Sequence, residues 1–182
     1  MRPLLLALPF ALLPFTAAYA HDEHEHGSLG AHEHGTAQLN VALDGETLEI
    51  ELDSPAMNIV GFEHAPTTPE QKAQAAAAQQ RLDEPETLFA LPTAAQCTTA
   101  QSDVGSPVFG NAAESKGHEG HEHADVDAHY QFQCDNPSAL ASIDFAPFFK
   151  AFPGTRKIVV QAITSNGQKG LQATPANSLL KF

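Results

Sequence analysis

The sequence predicts an α+β fold in which an antiparallel sheet, built from hairpins, is covered by one or two helices. Three stretches support this prediction. Apolar residues alternate on both sides of an Asp-Gly pair at 44–45, a Thr-Pro helix start stands at 68–69 before an alanine-rich run, and apolar residues alternate again over 126–134. We therefore expect a single α+β domain over 36–182, preceded by a flexible histidine-rich segment at 21–35.

The first twenty residues have the pattern of a secretory signal peptide. They carry one positive charge at Arg2, then a short run of Leu, Ala, Pro and Phe, and end in small residues at Ala20. The run contains prolines and is short for a permanent membrane span. We therefore expect export, removal of residues 1–20, and no membrane insertion afterwards.

The stretch 36–54 is the clearest structural signal in the chain. An Asp44-Gly45 pair separates two runs of alternating apolar residues, and such a pair favours a two-residue hairpin turn. A turn centred there puts apolar residues opposite one another on one face of the hairpin. The predicted pairs are Val41 with Leu48, Leu39 with Ile50, and Ala37 with Leu52.

Helical structure is expected next. The stretch 54–66 is mixed and indicates a short helical turn followed by a loop. A longer helix is predicted over 70–83, because Thr68 suits the N-cap, Pro69 the first helical position, and Gln71 completes a capping box.

The two cysteines, Cys97 and Cys134, indicate one disulfide. An exported chain is exposed to oxidising conditions, and neither residue has a CxxC partner, which disfavours the alternative of two metal-binding thiols. Cys134 ends the alternating strand 126–134 on its inward side, so the bond is expected at the base of a long histidine-rich loop at 105–125. The remaining elements are predicted as a strand at 93–104, a strand and short helix at 140–154, and a second hairpin at 156–174 around Asn166-Gly167.

The charge of the chain restricts its partners. The chain contains nine Lys and Arg residues and 22 Asp and Glu residues, which gives a formal net charge of −13. So acidic a protein repels nucleic acid and anionic lipid and attracts cations. We expect no nucleic-acid partner.

Nine of the ten histidines lie in two short segments, five in 21–34 and four in 118–129, and His64 stands between them. A neutral imidazole offers a nitrogen lone pair that suits Zn²⁺, Ni²⁺ and Cu²⁺. Three His-x-His pairs have a glutamate between their members, which could complete a metal shell or accept a ring N–H. The alternative is that these acidic, histidine-rich tracts are solvated low-complexity segments. The pairs are His24 with His26, His32 with His34, and His121 with His123.

Some of these histidines are expected on rigid structure. His32 and His34 precede the first strand, and His129 projects from the outer face of its strand with Asp127 beside it. We hypothesise a preformed site built from some of His32, His34, His64 and His129, with the 118–123 segment as a lid or feeder. A lone loop histidine such as His64 is more often structural than a ligand. The predicted ligands are thus His24, His26, His32, His34, His64, His118, His121, His123, Asp127 and His129.

No enzymatic motif accompanies the histidines. The sequence has no HExxH, no GxSxG and no glycine-rich phosphate loop. We expect that the protein is not an enzyme; a hydrolytic metalloenzyme would need an open coordination position beside a pocket.

Three stretches resemble a known family. "HEHGTAQLNVALDG", "SPAMNIVGFEHAP" and "DFAPFFKAFPGTRKIVVQAITSNGQ" are similar to the zinc-regulated periplasmic proteins (ZrgA-like) of Gram-negative bacteria, and the resemblance covers about 32–182. It implies a periplasmic zinc-binding protein that captures or buffers Zn²⁺ beside an ABC-type inner-membrane transporter. It adds Glu63 to the predicted ligands and strengthens the prediction that His64 is a ligand, since both residues lie in a family motif.

A different class of function stays open at this point. The histidine tracts could form a metal-dependent or pH-dependent contact surface in a structural or interaction module. Measuring the molecular mass in solution with and without zinc distinguishes this module from a zinc carrier. Zinc-driven assembly favours the module, and a zinc-binding monomer favours the carrier.

Overall fold

The computed structural model describes residues 33–110 and 124–182. Within them the chain forms a six-stranded sheet, a two-stranded sheet and three α-helices, with short 3₁₀ turns between. The strands are β1 (Thr36–Asp44), β2 (Thr47–Pro55), β3 (Cys97–Gly105), β4 (Asp125–Cys134), β5 (Ser142–Asp144), β6 (Lys157–Thr164), β7 (Gly167–Ala173) and β8 (Leu179–Lys181). The helices are α1 (Ala56–Val60), α2 (Pro69–Leu82) and α3 (Ala146–Ala151).

The large sheet is mixed, so the prediction of a purely antiparallel sheet is wrong. Its strand order is β3-β4-β2-β1-β6-β7. Neighbours pair antiparallel throughout except β1 and β6, which run parallel from Thr36 opposite Lys157 to Ala42 opposite Ile163. Alternating apolar residues predict strands but do not fix which distant strand lies alongside or in which direction. The small sheet pairs β5 with β8, a strand that the sequence did not predict.

The first hairpin forms as expected, but its register differs from the predicted one by two residues. Val41 lies opposite Ile50 and Leu43 opposite Leu48, so Gly45 and Glu46 form the turn. Gly45 has φ +59° and Glu46 is not among the residues with positive φ, which matches a turn with glycine in the first central position. A two-residue shift preserves the face of every side chain, and the observed register adds Leu43 to the apolar pairs.

The second hairpin is also confirmed, between β6 and β7. Thr164 lies opposite Gly167, so the turn residues are Ser165 and Asn166, one position earlier than the predicted centre. Gly167 has φ +112° and begins β7, which explains why glycine stands at that position.

The predicted helix start is confirmed in detail. Thr68 accepts a hydrogen bond from the Gln71 amide, and the Gln71 side chain accepts one from the Thr68 amide over 3.3 Å. This reciprocal capping box satisfies backbone donors at the first turn of α2. The helix buries Ala75, Ala78 and Leu82.

An aromatic cluster fills the core beneath the inner face of the sheet. The Phe89 ring contacts Tyr130, Phe145 and Phe148, with ring centroids 5.6, 6.3 and 6.1 Å away. All four residues are fully buried. Burial, with a smaller contribution from the charge of Asp83, raises the pKa of the Tyr130 hydroxyl, so this residue stays neutral in the core.

The predicted disulfide joins Cys97 to Cys134 across the β3–β4 pair, where the two residues lie directly opposite in register. The expectation that the bond lies at the base of the histidine-rich loop is wrong. Gly105 ends β3 and Asp125 begins β4, so the loop joins the opposite end of this strand pair from the disulfide. Across the stretches 33–110 and 124–182, no helix has the length and apolar character needed to cross a membrane.

Candidate metal centre

The residues just before β1 are held against the start of β6. The Glu33 carboxylate lies 3.0 Å from the Lys157 ammonium, and this hydrogen bond is the main reason that the pKa of Glu33 lies below its usual value. Arg156 Nη2 donates to the His34 carbonyl over 3.1 Å. The amides of Arg156 and Lys157 both donate to the Gly35 carbonyl. The backbone on both sides of His34 is therefore fixed.

The His34 ring points at a carboxylate from a different part of the sequence. His34 Nε2 lies 2.9 Å from Glu63 Oε1. The His34 side chain is 51% exposed, whereas that of Glu63 is only 8% exposed. An ionised carboxylate can only accept hydrogen bonds, so Nε2 carries the proton and the neutral ring keeps its lone pair on Nδ1. This is the arrangement by which a carboxylate orients a metal-binding histidine.

The neutral His64 ring has the opposite tautomer to that of His34, with its proton on Nδ1. Its Nδ1 lies 3.0 Å from the Ala65 carbonyl oxygen, an acceptor, so the lone pair of the neutral ring is on Nε2. The ring is exposed and stacks on Phe62, with centroids 5.3 Å apart. His64 is thus ordered by local contacts and offers one nitrogen to solvent.

Helix α1 lies between the residue that begins the second described range, Ala124, and the stretch that carries Glu63. Ala56 at its start donates to the Ala124 carbonyl over 2.9 Å, and the Ala124 amide donates to the Glu63 carbonyl over 3.3 Å. Gly61 ends the helix with φ +78° and leads directly into the stretch that carries Glu63. In the sequence Ala124 follows His123. Both histidine-rich segments therefore connect to the described fold beside Glu63, one through His34 and the other through Ala124.

The structure places His129 and Asp127 elsewhere, on the outer face of the large sheet. His129 lies between Glu51 on β2 and Asp103 on β3, its cross-strand neighbours. Asp127 lies opposite Asp53 on the same face. An open groove of about 640 Å³ runs along this acidic surface.

The predicted ligands are only partly brought together. Within 33–110 and 124–182, no group of three or more His, Cys, Asp or Glu residues is arranged to hold a metal ion. His34 and Glu63 form a pair, and neither His64 nor His129 extends it to such a group. The hypothesised site built from some of His32, His34, His64 and His129 stays a prediction, because His32 lies outside the described residues. The predicted ligands that lie outside the described residues are His24, His26, His32, His118, His121 and His123.

Comparison with known families decides the relationship. The family model described as "ZrgA family zinc uptake protein" matches residues 31–182, which is most of the chain. The protein belongs to the ZrgA family. No curated protein matches the chain.

Membership in the ZrgA family confirms the resemblance found in the sequence and gives the protein a role connected with zinc uptake. His34 and Glu63 both lie within the matched range.

Sequence reasoning missed the residues that hold His34 in this ZrgA protein. Arg156 and Lys157 are basic residues in a strongly acidic chain, and that rarity was the available signal. Gly35 has φ +89°, and a Cβ there would lie 2.5 Å from Arg156 Nε, so the need for glycine at this position is visible only in the structure. Asn58, whose Oδ1 accepts a hydrogen bond from the Gly35 amide, was missed because nothing in its sequence context distinguishes a buried amide from an exposed one.

Proposed function

We propose that this protein is exported to the periplasm, binds Zn²⁺ there, and captures or buffers the ion for uptake by an inner-membrane transporter of the ABC type. The observation that carries the proposal is the 2.9 Å contact between His34 Nε2 and Glu63 Oε1. It leaves a solvent-facing imidazole with its lone pair on Nδ1, and zinc in proteins prefers such nitrogen ligands together with carboxylates.

The pair does not by itself complete a zinc site, which commonly has four ligands. His32 lies two residues before His34, and His123 immediately precedes Ala124 in the sequence. His32 is therefore close to His34 along the chain, and His123 is the neighbour of Ala124, whose amide donates to the Glu63 carbonyl. We propose that further ligands come from these segments. Such a site exchanges its ion more readily than a closed structural site, which suits a carrier and not an enzyme.

Metal analysis of the purified, untagged mature protein tests the proposal directly. After exposure to micromolar zinc in neutral buffer and dialysis, we expect at least one Zn²⁺ per chain. Mass in solution measured with and without zinc should show the same species. Zinc-driven assembly would favour the interaction module instead, and protein without retained zinc would contradict zinc binding.

Zinc affinity should depend on pH. Between about pH 7.5 and about pH 5.5 we expect zinc affinity to fall by about tenfold for each coordinating histidine, because protons compete for imidazole nitrogens with an ordinary pKa near 6.5. Competition with a chelator of known pH dependence measures this change. Affinity that stays constant across the interval would argue against histidine ligation.

The histidines of the 118–123 segment should increase the number of zinc ions bound but should not form the site of highest affinity. The triple variant His118→Ala, His121→Ala, His123→Ala is expected to lower the total zinc bound while one tight site remains. Isothermal titration gives both quantities. The control is the triple variant Asn111→Ala, Ser115→Ala, Lys116→Ala in the same predicted loop, 105–125, which should bind as much zinc as the wild type. Complete loss of binding in the histidine variant would contradict the two-tier arrangement.

A further inference from the structure

Asn58 is a buried polar residue on α1, with 3% of its surface exposed. Its Oδ1 accepts a hydrogen bond from the Gly35 amide over 2.6 Å. Its Nδ2 donates to the Thr36 carbonyl over 2.9 Å and to Ser54 Oγ over 3.2 Å. A buried amide with three partners holds those partners in one arrangement, since leaving any of them unpaired is costly.

Two of these three contacts go to the backbone immediately after His34. The Gly35 amide belongs to the peptide group that links Gly35 to His34, and the Thr36 carbonyl lies two peptide groups further along. On its other side, the same peptide group is held by Arg156, which donates to the His34 carbonyl. Asn58 therefore fixes the direction in which the His34 side chain leaves the backbone.

The backbone of Asn58 is itself held in place by close contact with Gly154. A Cβ on Gly154 would lie 2.5 Å from the Asn58 carbonyl oxygen, so the backbone of α1 and the chain at Gly154 are in close contact. The helix also leads through Gly61 into the stretch that carries Glu63. One short helix thus sets the position of both members of the pair, His34 through a side chain and Glu63 through the main chain.

We propose that Asn58 is a positioning residue for zinc binding, which holds His34 opposite Glu63 through the Gly35 and Thr36 peptide groups; the proposal rests on the zinc-binding function proposed above. Asn58 does not touch the ion. Without its amide the segment before β1 keeps its contacts to β6 but loses those to α1, so the His34 ring is no longer fixed relative to Glu63.

The test compares Asn58→Ala with Val60→Ala, a variant of a residue on the same helix that is 1% exposed and makes no polar side-chain contact. Both variants lose core contacts and should unfold at lower temperature than the wild type. Only Asn58→Ala should weaken zinc binding, by about tenfold or more, the range seen when a partner that orients a ligand is removed. Val60→Ala should bind zinc within about twofold to threefold of the wild type, because the pair keeps its hydrogen bonds.

A second readout uses the zinc-free protein at a pH where histidine is neutral. Nitrogen-15 shifts of the His34 ring report which nitrogen carries the proton. In the wild type and in Val60→Ala we expect the Nε2–H form that the Glu63 contact favours, and in Asn58→Ala a mixture of both forms. If Asn58→Ala does not fold, Asn58→Asp replaces it, since it keeps an acceptor for the Gly35 amide and loses both donors.

The two readouts separate the proposals. A wild type that fails to bind zinc contradicts the proposed function, while the ring shifts still report on positioning. Equal ring shifts in the wild type and the Asn58 variant would overturn the positioning role. So would equal zinc affinity in the Asn58 variant and in Val60→Ala.

Discussion

Replacement of both cysteines, Cys97→Ser with Cys134→Ser, is expected to lower the free energy of unfolding by about 3–4 kcal/mol. The bond connects residues 37 positions apart, and its loss allows the unfolded chain many more conformations. Its loss also removes the covalent link between β4 and β3, which is an edge strand of the large sheet in the described part of the chain. Thermal unfolding followed by circular dichroism should show a midpoint lower by roughly 10 °C.

The next cross-strand pair along the same two strands supplies the control. Thr98 lies opposite Gln133, so Thr98→Ser with Gln133→Ser introduces the same residues and leaves the disulfide intact. This control should change stability by less than about 1 kcal/mol. Reduction of the wild type with a thiol should reproduce the effect of the cysteine variant. If the reduced and oxidised proteins unfold at the same temperature, the disulfide does not stabilise the fold.

His34→Ala is expected to weaken zinc binding by roughly 100-fold or more, since the loss of a ligand should cost at least as much as the loss of a partner that orients one. Glu63→Gln should cost about tenfold, because the amide oxygen still accepts the Nε2–H bond but without the negative charge that makes the ring a stronger ligand. Competition with a chromophoric zinc chelator at neutral pH measures both affinities.

His129→Ala is the matched comparison, since it removes the same side chain from the outer face of the sheet. His129 lies between two carboxylates there and not beside Glu63, so we expect a much smaller effect. An effect as large as that of His34→Ala would place the tight site on the outer face, as the sequence hypothesis allows. Unchanged affinity in His34→Ala would contradict the assignment of His34 as a ligand.

Local chemistry explains which parts of the fold could be predicted. The Thr68 capping box and the first hairpin depend on residues close together in the sequence, and both are present in the structure. The pleat of a strand has a period of two, so the predicted faces were right even where the register was shifted by two residues. The parallel pairing of β1 with β6 could not be predicted in this way, because it depends on which strands share one core.

The residues of the candidate site also differ in how far the sequence alone could predict them. His34 could be predicted because histidine chemistry and its place before a strand are visible in the sequence. Glu63 entered only through the family resemblance, since a single glutamate in an acidic chain carries no signal of its own. Asn58 acts through contacts to residues more than twenty positions away, which only the folded structure brings together.

The parallel pairing of β1 with β6 also sets an order of events in folding. These strands are central neighbours, yet Thr36 pairs with Lys157, so most of the chain separates them. As the chain emerges from its N-terminal end, one edge of β1 lacks its partner strand until β6 appears, and such long-range closure is slow. The contacts of Arg156 and Lys157 that secure His34 cannot form before that moment. A partly emerged chain therefore lacks the anchored imidazole, and the capacity to hold the ion in this way arises only when residues 33–36 meet residues 156–157.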